Sequence, residues 1–562
     1  MKRWIKVVGG LLFAGILASC GTGETATQTN AQNDESLNVM TTFYPMYEFT
    51  KQVVGDEGNV ELLIPAGTDS HDYEPSARDM AKIQEADVFV YNDENMETWV
   101  PAIEHTLEEG DVLPIKATEG MLLLPGDDHG HHHDHGDHDD HDHADDDHDH
   151  DHDHDHGDHD DHDHADDDHD HDHDHDDDAD DHDHDHDHGD HCHSHELDPH
   201  VWLAPNLAMK QVETIRDQLI EAYPEKEEAF TENAASYLEE LEALHNTFKE
   251  TLGQAKQKSF VTQHAAFNYL ALEYGLNQVP IAGLSSSEEP SAARIAELKE
   301  FVEEHGIEYI YFEENAKDSI ARTLATEAGV SLAVLNPLEG LTKEQMDNGE
   351  TYISIMEANL KALQKTTDTE NPLEDTLKPE KEKTVYNGYF EDEEVKDRPL
   401  SDWNGVWQTV DTYMADGTFD QVFEYKAKTN PDMTAEEYRE YYEVGYKTDV
   451  EKIEIKDDTM IFTFKNGEVK ESKYRYAGKE ILNYSAGNRG VRFLFEAEDP
   501  DSGAFKYVQF SDHSIAPTKS DHFHIYLGND SQEALLEEIE NWPTFYPEEM
   551  TGKEIAQEMI AH

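Results

Sequence analysis

The sequence predicts a two-lobed α/β unit with a long linking helix, followed by a mainly antiparallel β-barrel. Three observations carry this. Short apolar runs alternate with helical stretches on both sides of residues 206–252, which are almost continuously helical in composition; strands separated by helices imply a parallel sheet covered on both faces. Residues 366–383 are polar and charged with two prolines, which reads as a linker, and beyond them the pattern changes to short β-branched and aromatic runs. The length of 562 residues also exceeds the roughly 250–300 residues over which one core grows.

Taken in order, the chain opens with the basic residues Lys2, Arg3 and Lys6 and the apolar run Val7–Leu17. That run is shorter than the roughly 20 apolar residues a permanent span needs and fits a secretory signal over 1–19. Leu17-Ala18-Ser19-Cys20 resembles a bacterial lipobox, which implies cleavage before Cys20 and its acylation. Residues 20–36 are rich in Thr, Gln, Asn and Gly and read as a flexible tether. Strands follow at Leu37–Thr42, Val60–Ile64 and Val88–Tyr91, with helices at Met46–Val54 and at Ser76–Ala86, where Ser76 is a plausible cap. The 206–252 helix is broken near Pro224 and reads as a stiff element joining two lobes. Strands resume at Ser259–Thr262, Gln278–Ile281, Tyr309–Phe312 and Leu332–Leu335, with helices at Pro290–His305 and Asp318–Gly329. After the linker, strands are expected at Gly405–Val410, Lys452–Ile455, Thr459–Phe464, Glu468–Tyr476, Val491–Glu496 and Tyr507–Phe510, with helices near Thr434–Tyr446 and Gln532–Asn541.

Charge narrows the partners. Against 128 Asp and Glu stand 41 Lys and Arg, a formal net charge of −87, which repels nucleic acid and anionic membrane surfaces and leaves cations as the natural counterpart. Residues 127–195 hold 33 Asp, 27 of the 37 His and no Lys or Arg. This tract contains a 21-residue repeat, Gly136–His156 against Gly157–Asp177, that differs only at its last position. Alternating His and Asp has no apolar face, so the tract is expected to be disordered without metal. Two cysteines, Cys20 and Cys192, cannot form a disulfide framework; Cys192 lies in the tract, as a soft ligand or a passive thiol.

Four motifs follow predicted strands or the tract: His71-Asp72-Tyr73-Glu74-Pro75, Asp198-Pro199-His200-Val201-Trp202-Leu203, Gln263-His264-Ala265-Ala266-Phe267 and Asn336-Pro337-Leu338-Glu339-Gly340. Loops at the carboxyl ends of strands are where open α/β sheets bind ligands. Singly, each histidine reads more readily as a surface or packing residue than as a ligand. If three imidazoles and one carboxylate converge, they make a closed tetrahedral site suited to Zn²⁺, but spacing alone leaves convergence open. Near the C-terminus, His522 and His524 are two apart, so on a strand they share a face. His513 can return to that face through a turn, giving three neutral donors and an accessible fourth position.

On these motifs, residues 37–365 resemble the zinc-specific branch of the cluster A-I solute-binding proteins of ABC transporters. The resemblance implies that His71, His200, His264 and Glu339 hold zinc between two lobes that move little, for delivery to an ABC permease and, through it, a cytoplasmic ATPase. Manganese relatives usually carry a carboxylate third and Asp fourth; His264 and Glu339 favour nitrogen-rich zinc coordination. The His/Asp tract resembles the loop such relatives carry before the second ligand, with a metal-capture role. Residues 384–562, including Trp403-Asn404-Gly405-Val406-Trp407, resemble the ZinT family of zinc-binding, lipocalin-like barrels, which implies a second zinc site at His513, His522 and His524. The fusion behind a lipobox resembles zinc-binding lipoproteins of Gram-positive bacteria, which implies a monomer held by lipid on the extracellular face of the cell membrane. Two other readings compete with this one. One is a surface zinc store built on the tract. The other is a zinc hydrolase, which the absence of His-Glu-x-x-His and Gly-x-Ser-x-Gly motifs disfavours.

Overall fold

Strands that are apolar at every position need cover on both faces, and the centres of the first two sheets meet that condition. In the computed structural model, the described residues are 36–126, 197–285, 290–314, 318–372, 383–484, 487–538 and 540–561. The signal segment, the tether with Cys20, the His/Asp tract with Cys192 and part of the 366–383 linker lie outside them.

The first lobe comprises β1 (Leu37–Thr41), α1 (Tyr44–Val54), β2 (Gly58–Leu62), α2 (Ala77–Glu85), β3 (Val88–Tyr91), α3 (Val100–Glu109) and β4 (Leu113–Lys116). Its sheet is parallel in the order β2-β1-β3-β4. Ser76 closes a reciprocal capping box with Asp79 at the start of α2.

Residues 206–252 depart from the sequence reading of one interrupted linking helix. They form α4 (Pro205–Ala222) and α5 (Glu227–Leu252), joined by a 3-10 turn at Pro224–Lys226. Pro224 lacks an amide hydrogen and biases Tyr223 out of the helical region; Tyr223 is at φ −127°, ψ 65°. The chain reverses there, so α4 packs back along α5 and only α5 links the lobes. At one end of α5, Asn233 Nδ2 donates to the Val53 carbonyl (3.1 Å) in the first lobe. Towards the other end, His245 Nδ1 lies 3.1 Å from Tyr274 Oη in the second. Its 26 residues span about 39 Å.

The second lobe comprises β5 (Ser259–Thr262), α6 (Asn268–Tyr274), β6 (Asn277–Pro280), α7 (Ala292–Glu304), β7 (Tyr309–Phe312), α8 (Ser319–Ala328), β8 (Ser331–Val334), α9 (Lys343–Asn348) and α10 (Tyr352–Thr367), with parallel order β6-β5-β7-β8. One buried cluster runs from Val39 and Phe49 through Trp202 and Tyr237 to Tyr311 and Leu363, so the two lobes share a core along α5.

Beyond the linker, β9 (Gly405–Thr409), α11 (Asp420–Thr429), α12 (Ala435–Tyr446), β10 (Val450–Lys456), β11 (Thr459–Phe464), β12 (Val469–Asn483), β13 (Arg489–Ala497), β14 (Tyr507–Ser511), β15 (Phe523–Gly528), α13 (Gln532–Leu536), β16 (Thr544–Pro547) and α14 (Gly552–Ala561) follow. The eight strands close into an antiparallel barrel in the order β10-β11-β12-β13-β14-β15-β16-β9. β12 runs seven residues past its expected end, with a register shift between Tyr476 and Gly478. Gly478, at φ 126°, supplies a backbone conformation open to glycine there. The helix expected over 532–541 is the shorter α13.

The barrel's helices dock on the first unit. Gln421 bonds the Gly120 carbonyl and the Leu122 amide, and Gln557 bonds both the amide and the carbonyl of Leu123. Leu122 and Leu124 pack among Phe423, Tyr446 and Ile555. Among the described residues, no helix is long and apolar enough to cross a membrane.

Candidate metal centres

Each residue of the first cluster follows a strand or a turn that fixes it. His71 lies in the loop after β2, with its amide donating to Asp69 Oδ1 at 3.0 Å. His200 opens a 3-10 turn; Asp198 Oδ1 receives both its backbone amide (3.0 Å) and its ring Nδ1 (2.7 Å). Tyr269 Oη in turn donates to the Asp198 carbonyl at 2.6 Å, and Asn268 Nδ2 to Asp198 Oδ2 at 2.9 Å. His264 follows β5, its carbonyl held by Thr262 and Gln278, each at 2.8 Å. Glu339 follows β8 through Leu338, a buried non-glycine residue at φ 60° whose amide donates to Asn336 Oδ1. Such a left-handed residue costs about 1–3 kcal/mol and persists where its surroundings fix it.

The structure brings all four together. Their donor atoms lie within 4.8 Å of one another. Glu339 Oε1 is 3.0 Å from His264 Nε2, 3.3 Å from His200 Nε2 and 3.5 Å from His71 Nε2, and the last two nitrogens are 3.2 Å apart. A tetrahedral zinc with bonds of about 2.0–2.1 Å has donor–donor edges of about 3.3–3.4 Å. These four distances scatter around that edge. Two donors come from the first lobe's side and two from the second, and the lobes are stitched beside them. Ser70 Oγ donates to the Glu339 carbonyl at 2.8 Å, and Trp202 Nε1 to the Pro337 carbonyl at 2.8 Å.

The outer partners fix which nitrogen faces inward. Asp198 takes His200 Nδ1, and Glu313 Oε1 lies 2.5 Å from His264 Nδ1, so both rings present Nε2 to the centre. Sequence reasoning quoted Asp198 without a role and missed Glu313. The available signal was position: Glu313 directly follows β7, the sheet neighbour of β5.

In the metal-free state the two fully buried imidazoles favour their protonated forms. Burial pushes the His200 and His264 imidazoles down, but Asp198 and Glu339 beside the first, and Glu313 and Glu339 beside the second, outweigh it and raise both. Burial alone would lift Glu339; the surrounding imidazoles instead hold it well below the usual carboxylate range. A metal ion displaces those protons. Apparent metal affinity is therefore expected to fall as pH is lowered, beginning above the ordinary histidine value of 6.5, because the raised rings protonate earlier. Competition titrations at pH 8, 7 and 6 check this, and a flat profile contradicts it.

The second cluster is His513, His522 and His524, whose donor atoms also lie within 4.8 Å of one another. Ring centroids are 5.6, 5.8 and 5.9 Å apart, a nearly equilateral triangle. β15 begins at Phe523, one residue after His522, and the buried Phe523 between the two histidines points into the barrel core. His524 Nδ1 lies 2.7 Å from Thr544 Oγ1, which itself donates to the Trp542 carbonyl, leaving Nε2 as the exposed donor. His522 stacks on Tyr546 and His513 on Tyr386. His513 is at φ 63°, another left-handed residue at a candidate ligand.

Residues 39–366 match the family described as the periplasmic zinc-uptake complex component A (ZnuA). Residues 381–562 match the family described as ZinT (YodA) periplasmic lipocalin-like zinc-recruitment. The zinc-binding lipoprotein AdcA of Streptococcus pneumoniae serotype 4 is 55% identical over 548 residues, 97% of this chain and 99% of its own. The high-affinity zinc uptake system protein ZnuA of Bacillus subtilis is 43% identical over 348 residues, 62% of this chain and 92% of its own. Among solved structures, Zn(II)-bound AdcA from S. pneumoniae aligns with a TM-score of 0.76 at 54% identity, covering 94% of this chain and 100% of that one.

Proposed function

The chain belongs to the ZnuA family of zinc-uptake proteins, in the AdcA form that carries a ZinT-like domain, and from that premise we propose that it captures extracellular zinc and delivers it to an ABC permease. The observation that carries the proposal is the first cluster: three imidazole nitrogens and one carboxylate oxygen at tetrahedral edge spacing, held between two lobes. Zinc is cargo here, and no covalent step is required of the chain. A stiff α5 and lobes sharing one core suit capture by local loop motion more than by large hinge closure.

His513, His522 and His524 form the second receptor in this reading, with one face exposed for loading. Lipid attachment at Cys20 holds the protein on the outer face of the membrane, beside its permease. The 127–195 tract, with 27 histidines, supplies many weak sites in the segment that leads in sequence to Asp198 and His200; a surface store built on it is the second reading.

Metal counting by mass spectrometry separates the two. The mature chain lacking 127–195 is expected to keep two tightly bound zinc ions, one lost with His522→Ala. Tight zinc found only when the tract is present overturns the receptor reading and favours the store.

A further inference from the structure

The two clusters differ in charge. The first has its own carboxylate, Glu339; the second has none within its set of donors. Zinc held by three neutral imidazoles keeps its full 2+ charge and a fourth coordination position.

Beside that cluster lies a cleft of about 350 Å³, the size of a small-molecule site. His513 and His524 form part of its wall. So do Arg489 and Arg492, while among the described residues no Asp or Glu lines it, in a chain whose net charge is −87. Arg492 is buried and donates to three neutral oxygens, Gln509 Oε1 (3.3 Å), the Leu535 carbonyl (2.6 Å) and the Glu538 carbonyl (2.7 Å). These bonds, and its position 3.5 Å over the Tyr526 ring, hold its guanidinium in place. Arg489 pairs with Asp392, but its Nε is buried without a hydrogen-bond partner. Tyr386, Tyr484 and Trp542 supply aromatic walls, and Tyr386 and Tyr484 are 40% and 45% exposed. The acids that act on Tyr386, Asp521 and Glu558, are not among the lining residues.

A cleft that joins a metal position, two guanidinium groups and aromatic faces is complementary to an organic anion. Hydrated inorganic ions gain nothing from the aromatic walls. A carboxylate bound to the zinc would lower the charge of a site whose three donors are all neutral imidazoles, and the rest of the ligand would cover the rings.

We propose that this cleft binds a small carboxylate-bearing zinc chelator of the amino-acid type, whose carboxylate completes the coordination of zinc held by His513, His522 and His524. The proposal rests on reading those histidines as a zinc site. Loading then takes zinc together with its small-molecule carrier rather than as the hydrated ion alone.

The test is equilibrium dialysis of radiolabelled L-histidine against the zinc-loaded mature chain, with bound zinc counted after dialysis that removes weakly held metal. Tyr484→Glu places a negative charge at an exposed point on the cleft wall, where refolding is not at issue; Arg492→Met removes a buried charge. Tyr484→Glu is expected to weaken L-histidine binding at least tenfold and leave the zinc count unchanged, with Arg492→Met acting in the same direction. L-histidine binding that is absent, or equal in wild type and Tyr484→Glu, overturns the cleft proposal. A zinc count unchanged by His522→Ala overturns the underlying zinc site instead, so the two failures are distinguishable.

Discussion

Replacing His264 with alanine is expected to lower the zinc affinity of the first site by more than the roughly 10–100-fold that loss of an outer-shell partner costs. His264 is fully buried and touches two carboxylates, Glu339 through Nε2 at 3.0 Å and Glu313 through Nδ1 at 2.5 Å. Alanine removes a donor and also the group that compensates both charges. Two buried carboxylates then face one space without the imidazole between them, and Glu339, which His264 helps to hold below the usual carboxylate range, binds a proton more tightly. Protons thus compete harder for the oxygen that zinc still needs. Glu313→Gln is the graded control: the amide oxygen still accepts from Nδ1, but its charge is gone, and the expected loss stays within about 10–100-fold. Competition titration with a zinc chelator reads both variants, with the barrel site as internal reference. Wild-type affinity in His264→Ala removes this residue from the zinc site.

The ligand loops were legible because each follows a short feature that sequence marks well. Ser259–Thr262 and Tyr309–Phe312 coincide with β5 and β7, since short runs rich in aromatic and β-branched residues bounded by polar turns have few other readings. The order of the motifs, through family resemblance, then said more than spacing did. What stayed hidden depended on tertiary contact. Glu313 reads as the first acid of a polar loop, and only the sheet order brings it to His264. Nothing in the polar run around Arg398 marks that side chain as fully buried, which it is. α6, with seven residues, and β16, with four, are too short to show a period. Over 206–252 composition gave helix on both sides of a break at Pro224, as the structure has it, but not that α4 packs back along α5.

The second large effect falls on Arg398. Its Nε donates to Asp402 Oδ2 (2.8 Å), one Nη to Asp512 Oδ1 (2.6 Å) and the other to the Thr518 carbonyl (2.8 Å), and the guanidinium lies 4.2 Å over the Trp403 ring. Arg398→Ala leaves Asp512 buried without its cation, and Asp512 Oδ2 already has no hydrogen-bond partner. Removing one member of a buried pair costs about 3–5 kcal/mol, which for a domain of this size lowers its unfolding temperature on the order of 10 °C. The loss reaches function because the same arginine ties down the loop that carries His513. Asp512 precedes that residue, and Asp402 receives the Thr518 amide at 3.1 Å. Without this tie, the left-handed backbone of His513 loses the guanidinium that joins Asp402, Asp512 and Thr518 across the 512–520 loop. The variant is therefore expected to lose zinc at the barrel site even below its unfolding temperature, while the first site binds as before. Arg398→Lys keeps the charge but not the planar fork and should fall between the two. Calorimetry and metal counting on the mature chain measure both effects. An Arg398→Ala protein with an unchanged barrel transition, or with two zinc ions still tightly bound, shows that the loop is held by something other than this arginine.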